Sequence, residues 1–570
     1  MKFLIGLCLI CCCVFAYAQK KYTIDINQLP ANTELKKIHI SKKLALKEVK
    51  NLQLNLIENG YITASVDTFY WDSLTLKTIL YLGEKYNLTT FKREGIDEAM
   101  LSSIGFRDKI YTGKSFSATK VKNLLFKTVE YYENKGYPFA KASVKVNKIE
   151  DNNLHAELNI EKGNFITIDS IIVKGKPKIT HQFLYNYLGF KPGDVYNQSL
   201  INSIAIRIKE IPFLNEIKPA ELLLKPETAD IYLYLEDKKA SRFNGILGVL
   251  PNEQTGKITI TGELTINVKN GFGKGEEFGF EWRKLQALTQ NLKTHLIYPF
   301  LFKTPLGVEA DLKIFKKDTT YLEVNPKAKL LYMVKGGNHF SVFYERYSSS
   351  ILNPDNFKFS TVLPEFANAS KNMYGIGVKK QHLDYRINPR KGIDIDLNLA
   401  YGFKEIVQLP ELDESLYDDV NLKSNQYDLR GKLDFYIPLF KRSTIKLGFN
   451  GAHLQSENLF LNEMSRIGGI HTLRGFDEES IIASTFSVLT AEYRFLLEQN
   501  SNLYLFTDFA YYETKTPTSY VHDTPLGFGA GISFQTKPGI FSINYALGKQ
   551  QGNPIIFRAA KVHFGFINYF

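Results

Sequence analysis

The chain has 570 residues, a formal charge of +12 from 71 Lys and Arg against 59 Asp and Glu, and 13% aromatic residues. That length exceeds one ordinary domain. After residue 18 no apolar run is long enough for a transmembrane helix, which excludes a helical membrane protein but not a strand-built one.

Residues 1–18 read as a secretory signal peptide. Lys2 is the charged head, Phe3–Phe15 the apolar run, and Ala16-Tyr17-Ala18 the cleavage site before Gln19. Leu7 before Cys8 and Ile10 before Cys11 are too large for a lipoprotein signal. All four cysteines (Cys8, Cys11, Cys12 and Cys13) fall inside this segment, so the remainder offers neither disulfides nor thiolate metal ligands. Export removes nucleic acid as a partner for the positive charge, which reads as a solvated lysine-rich surface. The 41 Phe and 33 Tyr suit large β-sheets and membrane-interface girdles.

The first half repeats a small unit. Residues 19–35 read as a polar lead-in, followed by a lysine-rich helix ending at Gly60-Tyr61. A strand follows in which Ile62, Ala64 and Val66 alternate with polar residues. The pattern returns with Val121, Leu124, Leu125, Val129 and Tyr132 on one helical face, a stop at Gly136-Tyr137, and strands through Ala142–Val146 and Leu154–Ile160. The two Gly-Tyr pairs, at 60 and 136, are 76 residues apart. A third unit opens with the strand FITIDSIIVKG, carries Gly193-Asp194-Val195-Tyr196 before a helix, and ends in the strand Ile231–Leu235. Each unit is a small α+β domain. The boundaries read as 19–84, 85–162 and 163–238.

From residue 239 to 570 the helical period gives way to alternation. Ile258, Ile260, Leu264, Ile266 and Val268 alternate with polar residues, as do Ile393–Leu399 and Phe541–Leu547. Sixteen such runs can be counted, from 242–250 to 560–570. Many reach the ~10 residues that a tilted transmembrane strand needs. Alternate connections are tight, at 302–305, 438–441 and 537–539; others are long, at 349–371, 404–422 and 455–483. Short turns on one side and long loops on the other are expected of a membrane barrel.

These residues resemble POTRA domains, the periplasmic modules of outer-membrane assembly proteins, on the helix-Gly-Tyr-x-x-Ala-x-Val signature and the Gly-Asp-x-Tyr element. With the barrel, nearly the whole mature chain resembles the BamA/TamA superfamily; three modules make it most like TamA. Asp384, Arg386, Asn388, Pro389 and Gly392 are similar to that superfamily's D-x-R-x-N-P-x-x-G connection. Tyr298-Pro299-Phe300 matches a family hairpin, Arg474-Gly475-Phe476 the tip of an inward loop, and Phe506-x-Asp508 the strand motif facing it. Phe570 ends the chain in a terminal aromatic, although Asn568 departs from the family's apolar penultimate position.

The resemblance implies α+β POTRA modules followed by a 16-stranded antiparallel transmembrane β-barrel, plugged by loop 455–483. It implies an insertase or translocation factor in the outer membrane of a Gram-negative cell, its modules in the periplasm. Its partners would be unfolded outer-membrane or secreted client proteins, outer-membrane lipid and periplasmic accessory subunits. A two-partner-secretion translocator serving one secreted protein, and a passive porin, are the alternatives. No catalytic elbow, zinc helix or nucleotide loop appears, so neither an enzyme nor a cofactor is expected.

On strand 501–513, Asp508 shares a face with Tyr504 and Tyr512, opposite Leu503, Leu505 and Phe509. A carboxylate in a barrel lumen invites a cation, and Arg forks onto it through paired hydrogen bonds. An Arg474–Asp508 contact is therefore expected, with Asp477, Glu478 and Glu479 as competing acceptors. Gly245, Gly248 and Gly565 thin the packing between the first and last strands, marking a weak lateral seam.

Overall fold

The computed structural model describes residues 21–569 except 32, 94, 252–257, 285–287, 335–336, 386–387 and 537–538. The signal segment, Arg386 and Phe570 therefore lie outside the described residues. The chain forms two compact units: one holds the first two modules, the other the barrel and most of the third module.

In the first module the helix Lys42–Glu58 starts at Ser41, whose hydroxyl accepts the Leu44 N–H. Ala45, Val49, Leu52 and Leu56 form its buried stripe. Its sheet runs Ile38–His39, Tyr22–Ile26, Thr75–Tyr81, Ser65–Asp72. The stretch read as a polar lead-in thus holds a strand, Tyr22–Ile26, parallel to Thr75–Tyr81. Five residues give too short an alternation to stand out, yet Ile24 is buried in the core. The second module repeats the plan, with helix Ala118–Glu133 and sheet order Lys114–Ser115, Asn87–Lys92, Asn153–Glu161, Lys141–Glu150.

The Gly-Tyr signature lies where one module meets the next, and both joints are built alike. The Gly60 carbonyl accepts the Tyr86 N–H at 2.8 Å, and the Gly136 carbonyl accepts the Ile166 N–H at 2.7 Å. Both glycines have positive φ, +102° and +96°. A Cβ at Gly60 would sit 2.9 Å from the Tyr86 carbonyl oxygen, and one at Gly136 would meet the Phe165 ring at 2.5 Å. Two residues upstream, each module caps the next module's helix. Glu58 accepts the Thr119 N–H at 2.6 Å and the Ser117 hydroxyl, and Asn134 Oδ1 accepts the Ser199 N–H at 2.8 Å.

The third module's sheet runs Leu214–Leu224, Thr228–Asp237, Thr167–Lys174. Its Gly193 has φ +89°, and Tyr196 is buried; desolvation pushes that phenol up to about 12. The helix expected to open there begins at Gln198. This module is fastened to a barrel turn. Thr180 N–H donates to the Gly273 carbonyl at 2.8 Å, Asn270 Nδ2 to the Lys178 carbonyl at 2.6 Å, and the Phe183 and Phe300 rings meet edge-on at 5.6 Å.

The barrel is antiparallel and has sixteen strands, from Arg242–Pro251 to Lys561–Tyr569. Alternation sorts its two faces. On Ser501–Lys515, Leu503, Leu505 and Phe509 face outward, while Phe506, Asp508 and Tyr512 are buried on the inner face. The fourteenth strand, Leu526–Gln535, has an outward extension, Tyr520–Asp523, which pairs with Tyr512–Lys515. The break falls at Thr524-Pro525, where proline cannot donate to the ladder. The three long connections pack together through Ile351, Leu409, Leu412, Tyr417, Val420 and Phe460.

Candidate functional site: the inward loop and the barrel seam

Ser443–Gln455 and Thr485–Glu498 are the eleventh and twelfth barrel strands. The loop between them, 456–484, is displaced by one residue from the expected 455–483. It folds as a small hairpin in which Ser465–Ile467 pairs with Ile481–Ala483. Gly468 and Gly469, at φ +118° and +86°, turn the chain beyond that hairpin.

Arg474 lies at the tip, aimed at the wall. Its Nε and Nη2 donate to Asp508 Oδ2 and Oδ1, both at 2.7 Å, and its backbone N–H reaches Oδ2 at 3.2 Å. Asp508 is 1% exposed and also accepts the Thr490 hydroxyl at 2.8 Å. The guanidinium lies 3.6 Å over the Phe506 ring. Gly475 has φ +93°, and a Cβ there would sit 2.5 Å from the Leu547 carbonyl oxygen. Phe476 is buried, its ring against Gly548, so wall glycines make the trough that receives the tip.

Sequence reasoning missed the second anion. Arg474 Nη1 donates to Glu492 Oε2 at 2.7 Å, and Arg494 Nε donates to Glu492 Oε1 at 2.6 Å. Arg494 in turn reaches Asn388 Oδ1 at 3.3 Å. Asn388, from the 384–392 connection, thereby joins the network that holds the loop tip. Asp384 closes its own turn, accepting the N–H groups of Arg390 and Lys391 at 2.9 and 3.0 Å. Gly392 has φ +127°, and Pro389 is buried. The signal that could have found Glu492 is its phase with Thr490 and Arg494 on the lumen face.

Two further anchors had no motif to mark them. Glu463 is enclosed by Lys404 at 2.5 Å and Lys371 at 2.9 Å. Arg466 pairs with Glu323, donates to the Tyr321 hydroxyl at 2.8 Å, and stacks 4.1 Å over Phe315. The expected competitors for Arg474 go elsewhere: Asp477 to Lys561, Glu478 and Glu479 towards Arg283.

At the seam, Arg242–Pro251 pairs along its whole length with Ile258–Lys269, from Arg242↔Asn267 to Pro251↔Ile258. Towards Lys561–Tyr569, among the described residues, its register pairs are Arg242↔Tyr569 and Phe243↔Asn568. Gly245 and Gly248 face Leu264 and Thr261, and Gly565 faces Ser542; among the described residues none of the three has a register partner across the seam.

The sequence from 270 to 566 matches the Omp85 superfamily domain. The chain belongs to the Omp85 superfamily. As an Omp85 protein it is an outer-membrane β-barrel with N-terminal α/β modules in the periplasm, in a group devoted to protein transport and assembly. It is 23% identical over 486 residues to the heme/hemopexin transporter protein HuxB of Haemophilus influenzae, covering 78% of this chain and 80% of that one. In fold it is similar to CdiB from Escherichia coli (TM-score 0.52, 13% identity, 93% of this chain and 97% of that one). CdiB from Acinetobacter baumannii is likewise similar (TM-score 0.51, 16% identity, 92% and 97%).

Proposed function

We propose that this Omp85 protein is an insertase or translocation factor for unfolded, β-rich client proteins, engaging them at module sheet edges and at the barrel seam. The carrying observation is the seam itself. Among the described residues, register pairing stops at Phe243↔Asn568, although both strands continue beyond it. A strand whose backbone groups lack a neighbour templates pairing with another chain. Transport of this kind draws on client folding energy and assigns no covalent chemistry to the chain. Arg474 and Asp508 are then a structural latch that holds the inward loop, and the loop tip is not a catalytic centre. The three-module plan favours the TamA-like reading.

The second reading is a two-partner-secretion translocator that passes one secreted protein. The name of its relative HuxB, a transporter protein, favours this reading. Depletion followed by quantitative outer-membrane and secreted proteomics separates the two. Loss of several barrel proteins supports the first reading, and loss of a single exported protein the second. An unchanged proteome overturns both.

A further inference from the structure

The loop residues just past the tip, Asp477-Glu478-Glu479, are not spent on the latch. Asp477 Oδ1 lies 2.7 Å from Lys561 Nζ, on the last barrel strand. Glu478 and Glu479 lie 3.7 and 3.9 Å from Arg283 Nη1, on the third strand, Glu277–Lys284. Arg283 also pairs with Glu263 at 3.4 Å, and Glu263 sits in register with Ile246 of the first strand. Three consecutive loop carboxylates therefore reach cations on both flanks of the seam.

Their height along the seam matters. The register pairs lie at its periplasmic end, at 242–243 and 568–569. Lys561 starts the last strand, at the opposite, outer end, and Arg283, in register through Glu263 with Ile246, lies outward of those pairs. The carboxylates thus bridge the half of the seam that lacks backbone pairing among the described residues. Gly469 makes room for this arrangement, because a Cβ there would collide with the Glu478 carboxylate. A cavity of about 460 Å³ separates this part of the loop from the first strands; Arg242, Glu263, Arg283 and Lys293 line it beside Glu478 and Glu479.

We propose that Asp477, Glu478 and Glu479 form an electrostatic clasp that holds the two flanks of the seam from inside the barrel. The clasp rests on the seam reading above and adds what keeps the seam shut at its unpaired end. Asp477 is 72% exposed, so its pair with Lys561 is weak and screened by salt. Such a pair suits a closure that must release. The clasp is separate from the latch, which holds the loop to strands twelve and thirteen.

Hydrogen exchange on the purified full chain in phospholipid vesicles tests the clasp without any client. In Asp477→Ala/Glu478→Ala/Glu479→Ala, amides of Arg242–Pro251 and Lys561–Tyr569 are expected to exchange several-fold faster, with those of Lys423–Phe440 unchanged. High salt should speed seam exchange in the unaltered chain but not in this variant. Asp477→Lys combined with Lys561→Asp should restore the protection that Asp477→Ala loses. Unchanged seam exchange, or a charge swap as fast as the alanine variant, overturns the clasp. Should the triple variant fail to insert, Lys561→Ala carries the same test at one exposed pair. If exchange responds as stated while depletion leaves the proteome unchanged, the client reading falls and the clasp stands.

Discussion

Arg474 and Asp508 meet through two parallel hydrogen bonds of 2.7 Å in a site from which Asp508 is almost wholly excluded from water. Removing one partner of a buried pair leaves an uncompensated charge, at a cost of about 3–5 kcal/mol. Arg474→Ala strands Asp508 and leaves Glu492 with Arg494 alone, and should weaken loop docking more than Asp508→Asn, which leaves Arg474 with Glu492. Arg474→Lys keeps the charge but loses the fork, so it should recover only part of the loss. Heat-dependent gel mobility and thermal unfolding of the reconstituted barrel rank the three. Equal stability of Arg474→Ala and the unaltered chain would sink the latch.

Gly475 tests the same docking through the backbone. Its φ of +93° lies in the region that L side chains avoid, which alone costs an alanine about 1–2 kcal/mol. The Leu547 carbonyl oxygen, 2.5 Å from the new Cβ, adds a clash. Gly475→Ala should therefore release the tip although every charge in the network remains. Faster hydrogen exchange of the loop amides at 473–476 in Gly475→Ala, beside protection when Gly475 is kept, is the expected pair of results.

The barrel was legible because lipid outside and a polar lumen inside force strict alternation over long strands. The strand Gly392–Val407 contains the alternation read over Ile393–Leu399 and extends beyond it at both ends. The lumen phase of Asp508 was equally readable. Its partner network was not, because Thr490, Glu492 and Arg494 look like any polar lumen face until strand pairing sets Thr490 opposite Asp508 and Glu492 on the diagonal from it. The same applies to Glu463 with Lys371 and Lys404, which are 92 and 59 positions away in sequence and have no spacing rule to join them. Tyr22–Ile26 escaped notice for a different reason: its partner strand begins about fifty residues later.

Locking the seam asks whether it opens in function. Phe243 and Asn568 are register partners, and antiparallel partners lie ~4.5–5.5 Å apart at Cα, within disulfide reach. No cysteine follows Cys13, so Phe243→Cys/Asn568→Cys creates one defined bridge. Oxidised cells should lose client delivery, and a reductant should restore it. Full delivery with the bridge shown to be formed would remove seam opening from the mechanism.

Acid should loosen one inter-module joint and spare the other. Burial pushes the Glu58 carboxyl upward, but hydrogen bonds from Ser117 and Thr119, with Lys120 nearby, outweigh it and hold the group below its ordinary 4.5. A carboxylate depressed in the folded state contributes stability above its unfolded pKa, and that contribution is lost as pH falls through the folded value. The Glu58 joint should therefore weaken below about pH 4.5. The equivalent cap at the next joint is Asn134, which does not titrate and donates no charge to the Ser199 N–H. Hydrogen exchange of amides 117–120 against those near 199, followed from pH 6 to pH 3 and corrected for intrinsic rates, should show a step only at the first joint. Glu58→Gln should abolish the step, because the amide oxygen can still accept from Thr119 but can no longer gain a proton. A step that persists in Glu58→Gln would assign the acid sensitivity to another group.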